Sequence, residues 1–183
     1  MTPSVSWASH IVGGVITYKY VKRDSLNPLR ITYHFTMKVY RDLYGSNGTG
    51  LDTRANIAVL AQGANGTYTT YNSRSVPLLR QSNVVINKPP CSEIPANIGV
   101  EEGIYEWDEI LLESAYTYAV TYQRCCRNGT IASIYNPGTT GATYTVEITG
   151  ESQHTNNSSP VFNNFPPSII CANEPLEDRK SVV

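Results

Sequence analysis

Four cysteines are the residues of this chain best suited to covalent chemistry: Cys91, Cys125, Cys126 and Cys171. Their spacing matches no zinc-ligand pattern, so disulfide bonds are their expected use. Cys125 and Cys126 are neighbours at the end of a predicted strand, where successive side chains point to opposite faces. We therefore expect each of the two to bond a different distant segment, with Cys91 and Cys171 as the partners.

Alternatives remain open for these cysteines. Cys125 and Cys126 could bond directly to each other, although a bond between neighbours requires unusual geometry. All four could instead be reduced, buried thiols of a cytosolic protein. The sequence does not decide which neighbour takes Cys91, and our working pairing is Cys91–Cys125 with Cys126–Cys171.

No other arrangement of catalytic or metal-binding residues stands out. Three histidines, His10, His34 and His154, are far apart, and no HxH or HxxxH spacing exists. His34 lies on the polar face of a predicted strand, which indicates contact with solvent. Because phosphate-binding glycine loops, nucleophile elbows and zinc spacings are missing from the sequence, we predict a non-enzymatic protein with no cofactor and no metal.

The densest acidic patch contains five carboxylates: Glu101, Glu102, Glu106, Asp108 and Glu109. A calcium site would need several of their oxygens to converge on one point. A solvated loop and strand face is the simpler interpretation. Calcium binding near Glu101 and Glu102 stays open.

Four aromatic side chains are the candidate binding residues. Tyr105 and Trp107 alternate on one face of a predicted strand, and Tyr116 and Tyr118 belong to the next strand. Exposed rings of this kind can stack on sugars, so they are candidates for a surface polysaccharide or another cell-surface ligand. Core packing is the commoner use of Tyr105 and Trp107.

The strands that would position these residues are short and alternate with a period of two. The clearest covers 30–40, where Ile31 and Tyr33 alternate with Thr32 and His34. Further strands or extended segments are predicted at 11–21, 56–61, 67–71, 75–79, 83–87, 103–112, 116–123, 130–135, 142–148 and 160–171. Asn65-Gly66 and Asn128-Gly129 are predicted hairpin turns. Together they predict an all-β, immunoglobulin-like Greek-key β-sandwich, stapled by disulfides and with little or no helix.

Composition narrows the class of protein. The formal net charge is −1 and no basic stripe occurs, so nucleic acid is not an expected partner. No apolar run reaches the roughly 18 residues of a membrane span. Thirteen Tyr against three Phe, with four Cys, fit a secreted protein whose amphipathic rings lie at its surface. We expect residues 1–173 to form one domain and residues 174–183 to begin a linker or a following module.

Several local strings resemble one protein family. They are SHIVGGVITYKY near the start, KVYRDLYG at 38–45, VEEGIYE at 100–106, YQRCCRNGTI at 122–131, NPGTTGATY at 136–144 and SSPVFNNFPPSIICANEP at 158–175. They resemble the amino-terminal domain of very large surface proteins of gliding Bacteroidota, which leave the cell by the type nine secretion system. The resemblance covers nearly the whole chain, and QRCCRN and SPVFNNFPP are its most specific strings.

This resemblance implies a location and a set of partners. Members are secreted to the bacterial cell surface, have an adhesion-type role and usually continue into immunoglobulin- or cadherin-like modules. Relatives often carry cysteines where Leu43 and Val100 stand here. Their joint absence implies that those two bond each other in relatives, which leaves the four cysteines of this chain to form two bonds.

Three functions follow as hypotheses. The first is a non-enzymatic surface module that acts in adhesion or surface contact during gliding. The second is a carbohydrate-binding module, which would need a concave aromatic patch. The third is a hydrolase, which would need a cleft with perturbed carboxylates or a histidine-paired nucleophile.

We predict no free thiol when the protein is made in an oxidising compartment. Ellman titration of the denatured, unreduced protein should give close to zero thiols per chain, because all four cysteines are expected to be bonded. Four reactive thiols would reject the disulfide prediction.

Overall fold

The structure is a computed structural model that describes residues 11–44, 50–86, 93, 97–129 and 131–161. The described part contains eight strands. They are β1 (Ile11–Arg23), β2 (Arg30–Asp42), β3 (Arg54–Gln62), β4 (Tyr68–Pro77), β5 (Arg80–Asn83), β6 (Val100–Leu112), β7 (Tyr118–Arg124) and β8 (Ala142–Ile148). A 3₁₀ turn covers Pro137–Thr139, and helix α1 (Gly150–His154) follows β8.

The strands form two antiparallel sheets that pack face to face as a β-sandwich. Sheet A has the order β1-β2-β6-β5, and sheet B has the order β4-β3-β7-β8. Consecutive pairs of strands alternate between the sheets, so each connection between pairs crosses the sandwich. This order corresponds to the ABED and CFG sheets of immunoglobulin domains with β4 as an added edge strand. The predicted fold class is confirmed.

The core lies between the sheets and is rich in aromatic side chains. In β2 every second residue from Ile31 to Val39 is buried, while Thr32 and His34 on the opposite face are only partly covered. This is the alternation that the sequence predicts for a strand with one core face. Phe35 stacks on Trp107 of β6 with ring centroids 5.1 Å apart, so neighbouring strands of sheet A are packed together by their rings.

Tyr118 joins the two sheets at the β6–β7 connection. It begins β7, its side chain is buried, and its hydroxyl donates a 2.8 Å hydrogen bond to the Leu112 carbonyl at the end of β6. This is the tyrosine corner that immunoglobulin-like sandwiches place at the same connection. Burial raises the pKa of Tyr118 to about 12, so the hydroxyl remains a donor at neutral pH.

Two local features of the chain depend on glycine. Gly66 has a φ of 80° in the turn between β3 and β4, as expected for a glycine in an Asn-Gly hairpin turn. The pairing of β1 with β2 shifts register beside Gly13, and Gly14 packs under the ring of Tyr144. A Cβ at Gly14 would stand 2.9 Å from that ring, so β1 and β8 approach closely only because the residue is glycine.

Other predicted elements differ from the structure. The predicted strands 67–71 and 75–79 are one strand, β4, because Pro77 ends the strand rather than interrupting it. Residues 83–87 were expected to pair, but the edge strand is β5, which ends at Asn83. Residues 131–135 of the predicted strand 130–135 belong to a loop. Residues 162–183, with the predicted domain boundary at 173, lie outside the described residues.

The segment that follows α1 covers part of one edge of sheet A. Ser159 exchanges hydrogen bonds with Tyr18 of β1: its backbone N–H donates to the Tyr18 carbonyl over 2.9 Å, and its hydroxyl accepts from the Tyr18 N–H over 2.9 Å. The Ser158 hydroxyl accepts from the Tyr20 N–H over 3.0 Å. Edge groups of β1 that would otherwise be free to pair are therefore satisfied within the domain.

Helix α1 positions this segment, and it has five residues, as expected for a fold with little helix. Gln153 in α1 is fully buried and binds three backbone groups. Its amide oxygen accepts from Ser114 N–H, and its amide nitrogen donates to the carbonyls of Tyr116 and Ile148. No helix in the described ranges is long and apolar enough to cross a membrane.

Replacing Tyr118 by Phe should destabilise the domain by about 1–2 kcal/mol, because the Leu112 carbonyl loses its partner while the ring is kept. Urea unfolding followed by circular dichroism measures the change. Tyr116→Phe is the control, since Tyr116 is exposed and should stay within about 0.5 kcal/mol of the wild type. Equal effects of the two variants would contradict the role assigned to the Tyr118 hydroxyl.

Candidate binding surface

The structure corrects the predicted disulfide pairing. Cys125 and Cys126 are bonded directly to each other, and the peptide bond between them is cis. The working pairing of Cys91–Cys125 with Cys126–Cys171 is therefore wrong. Its premise was a strand that continues through the pair, but β7 ends at Arg124 and the strand alternation ends with it. Cys91 and Cys171 lie outside the described residues.

The four candidate aromatic residues do not form a common surface. Tyr105 and Tyr118 are buried in the core, so neither ring offers a face to a ligand. Trp107 is partly buried against Phe35 on the same side of β6 as Tyr105. Tyr116 alone among the four is exposed, in the β6–β7 connection. These positions do not make an aromatic trough.

Two carboxylates of the acidic patch point inward from β6. Glu101 is buried and pairs with Arg41, while its other oxygen accepts a 2.6 Å hydrogen bond from Gln81. Glu109 is 2% exposed and accepts from Arg74 Nε over 2.8 Å and from Asn72 Nδ2 over 2.9 Å. Because Arg74 and Asn72 lie on β4, Glu109 links the two sheets.

The alternate carboxylates of β6 point away from the core. Glu102 accepts from the Tyr40 hydroxyl over 2.9 Å and lies 3.5 Å from Lys38 Nζ. Asp108 lies 2.7 Å from His34 Nδ1. The patch is thus divided between opposite faces of one strand, and the described residues contain no group of three or more His, Cys, Asp or Glu placed to hold a metal.

The surface that best fits a binding role is the β7–β8 loop, which covers residues 125–141 with residue 130 outside the description. It joins β7, an inner strand of sheet B, to the edge strand β8. Its described residues contain no element longer than the 3₁₀ turn at Pro137–Thr139. Its residues are largely Tyr, Ser, Gly, Asn and Thr. Such side chains combine a rigid aromatic contact with adaptable hydrogen bonding, as in antibody recognition loops.

Hydrogen bonds within the loop hold its two arms together. The Arg127 N–H donates to the carbonyls of Pro137 and Thr140 over 3.1 and 3.0 Å. The Arg127 guanidinium also donates through Nε to the Gly141 carbonyl over 3.1 Å. Asn136 adopts a left-handed φ of 48° and caps the 3₁₀ turn, which reverses the chain at the tip. These bonds hold the described residues of the two arms together within the domain itself.

A second set of contacts fixes the loop to the body of the domain. Asn128 is buried; its backbone N–H donates to the Ile11 carbonyl over 3.2 Å and its Nδ2 to Asp42 Oδ2 over 3.0 Å. Ile11 also forms an isolated bridge with Arg127. The loop is thus attached to the start of β1 and the end of β2, and both sheets support it.

A polar cluster lies at the same end of the sandwich. The Asp52 carboxylate accepts a 2.5 Å hydrogen bond from the Tyr122 hydroxyl, and Arg124 Nη1 lies 3.1 Å from its other oxygen. The Tyr105 hydroxyl donates to the Asp52 carbonyl over 2.6 Å. Burial, followed by the Asp52 hydrogen bond, raises the pKa of Tyr122, so this tyrosine stays protonated and serves as an anchor.

The tip of the loop offers an almost completely free tyrosine. Tyr135 is 96% exposed, and Ala132, Ser133 and Asn136 around it are also exposed. Tyr44 lies at the same end of the sandwich and is 57% exposed. A large apolar ring held in water by an ordered loop is a feature of recognition sites, because it can be buried with little loss of backbone entropy.

Sequence patterning identified the ends of this loop but not its role. Asn128-Gly129 resembled a two-residue hairpin turn, and the side chain of Asn128 is instead an anchor. Asn136-Pro137-Gly138 forms the chain reversal at the tip of the loop. Comparison of the chain with protein-family models, curated proteins and solved structures found no match.

Replacing Asn128 by Ala should release the loop from the body of the domain, since the Asp42 carboxylate loses a donor. We expect about 1–3 kcal/mol of destabilisation and faster amide hydrogen exchange across 125–141. Hydrogen exchange followed by mass spectrometry provides the measurement. Ser133→Ala, an exposed change in the same loop, is the matched control; unchanged exchange in Asn128→Ala would reject the anchor.

Proposed function

We propose that this domain is a non-enzymatic contact module of a secreted, cell-surface protein, acting in adhesion or surface contact during gliding. The observation that carries the proposal is the ordered β7–β8 loop with Tyr135 at its tip. The resemblance to the amino-terminal domains of gliding-associated surface proteins supports the location and the route of export. Further modules of the same chain are its expected neighbours.

The arrangement of polar groups favours contact over catalysis. The β6 carboxylates with the least solvent exposure, Glu101 and Glu109, are engaged by arginine and amide side chains of neighbouring strands. Tyr105 and Tyr122 are likewise engaged, as donors to Asp52. Groups held in such bonds stabilise the scaffold, and the side chains left free to meet a partner are those of the loops.

The loop end has the properties expected of an adhesive contact. Its backbone is fixed by the contacts of Arg127 and Asn128, so binding would cost little ordering of the chain. Tyr135 supplies the kind of ring that dominates the free energy of many interfaces, and the surrounding small polar residues leave its faces accessible. A partner could be a surface polysaccharide or another component of a cell surface.

Replacing Tyr135 by Ala should weaken adhesion by roughly tenfold or more, since exposed interface tyrosines are frequent hot spots. Fluorescent beads coated with the purified domain are applied to intact cells of a gliding Bacteroidota and to a glycan array, and retention is counted. The melting temperature should not change, because the removed ring has almost no contact with the domain.

Leu26→Ala is the matched control for this experiment. Leu26 is 95% exposed but lies in the β1–β2 connection, at the opposite end of the sandwich. If Leu26→Ala reduces bead retention as much as Tyr135→Ala, or if Tyr135→Ala leaves retention unchanged, the loop is not the contact surface.

A further inference from the structure

A second surface, at the end of the sandwich opposite the β7–β8 loop, has features of a ligand site. It is a groove of about 380 Å³ on the outer face of sheet A. The residues lining it are Lys22, Arg23, Asp24, Ser25, Arg30, Thr32 and Ile110. Lys22 is paired with Thr32 and Thr32 with Ile110, so these three form one row across β1, β2 and β6.

Two cations in this groove make no close ion pair, although Asp24 in the same lining is near enough to interact electrostatically with both. Lys22 and Arg30 are exposed, and no carboxylate of the described residues lies within ion-pair distance of either side chain. Lys19 of β1 pairs with His34 of β2 in the next cross-strand row, and it is also exposed. Because Arg23 is paired with Glu113, the groove lining keeps Lys22 and Arg30 against the carboxylate of Asp24, which is a small excess of positive charge. The next row of the same face adds one cation, Lys19, and one carboxylate, Asp108.

The other two charged residues of the groove, Arg23 and Asp24, make hydrogen bonds within the domain. Arg23 makes a bidentate ion pair with Glu113, with N–O distances of 2.7 and 3.2 Å, and also donates to the Gln153 carbonyl. Asp24 Oδ1 accepts from the Leu26 and Asn27 N–H groups of the turn, over 2.8 and 3.3 Å. Arg23 is therefore held in place by its partners, and Asp24 keeps its negative charge. Lys22 and Arg30 are the groups available to an anion.

Hydroxyl and apolar groups complete the lining. Ser25 and Thr32 contribute hydroxyls, and Ile110 contributes a 43% exposed aliphatic side chain. Leu112, which pairs with Arg30, and Val21 are each 47% exposed beside the groove. A sugar ring with an acidic substituent presents matching groups: an anion for the cations, hydroxyls for Ser25 and Thr32, and a C–H face for the aliphatic side chains.

We propose that this groove binds an acidic polysaccharide, with Lys22 and Arg30 holding its carboxylate or sulfate groups. An extended acidic peptide fits less well, because peptides commonly add a strand to a free sheet edge. The groove lies on a sheet face, and the neighbouring edge of β1 is occupied by Ser158 and Ser159. This proposal rests on the adhesive function proposed above. It adds a class of ligand and places that ligand at a second site on the domain.

The test measures binding of polygalacturonate to the purified domain by isothermal titration calorimetry. Neutral dextran of matched length and poly-glutamate are the comparison polymers. Lys22→Gln and Arg30→Gln should each weaken polygalacturonate binding by roughly fivefold or more, and higher salt should weaken wild-type binding. Dextran should not bind, and poly-glutamate should bind at least about fivefold more weakly than polygalacturonate.

Arg80→Gln is the matched control. Arg80 is an exposed cation of the same sheet, on β5, and no ion pair holds it within the described part. It should retain binding within about twofold, which would show that the effect is local rather than one of net charge. All three substitutions lie on the surface, and an unchanged melting temperature would show that the fold is kept.

Four results would overturn the proposal. They are no binding of polygalacturonate, equal losses for Arg80→Gln and Lys22→Gln, dextran binding as tight as polygalacturonate, and poly-glutamate binding as tight as polygalacturonate, the last of which would identify an acidic peptide site instead. Tyr135→Ala is assayed in parallel and should retain polygalacturonate binding. Loss of cell adhesion in that variant with normal polygalacturonate binding would separate the two sites.

Discussion

Tyrosine hydroxyls at the rim of the core connect the two sheets to the loops that leave them. Tyr105 and Tyr122 place their rings between the sheets and donate to Asp52, while Tyr118 donates to the carbonyl of Leu112. Each ring contributes apolar burial, and each hydroxyl donates to an oxygen at a strand end or in a connecting segment. The excess of thirteen Tyr over three Phe is thereby explained in part: a phenylalanine at these positions would fill the core but leave the connections unattached.

The fold class could be predicted because its signal is local. β2 and β8 have the alternation and β-branched or aromatic residues of a strand, and both were identified. The pairing of strands is a non-local property, so β4 and β5 were misplaced at the edges, where pairing supports only one side. Glu109 shows what a local sequence pattern cannot predict. In the sequence it belongs to an acidic run, yet in the fold it is buried and paired with Arg74 on the other sheet.

The site was less accessible to sequence reasoning than the fold. The sequence shows that Tyr105 and Tyr118 carry rings suited to ligand binding. Whether a ring is exposed depends on which side of its strand faces the core, and both rings are buried. The predicted bonds of Cys125 and Cys126 to distant segments require β7 to continue through both residues. β7 ends one residue before Cys125, and the two cysteines bond each other instead. The role proposed for Tyr135 depends on contacts that Arg127 and Asn128 make with distant residues, and no local sequence pattern encodes those contacts.

Ser158 and Ser159, which follow α1, affect how this domain can associate with other copies of itself. An uncovered β1 would present free amide and carbonyl groups to the equivalent strand of another molecule, and such stacking can extend into fibres. Because Ser158 and Ser159 bond the backbone of Tyr18 and Tyr20, this part of the β1 edge is not open to such pairing. A crowded layer of these domains would therefore be protected on this side against fusing into a continuous sheet.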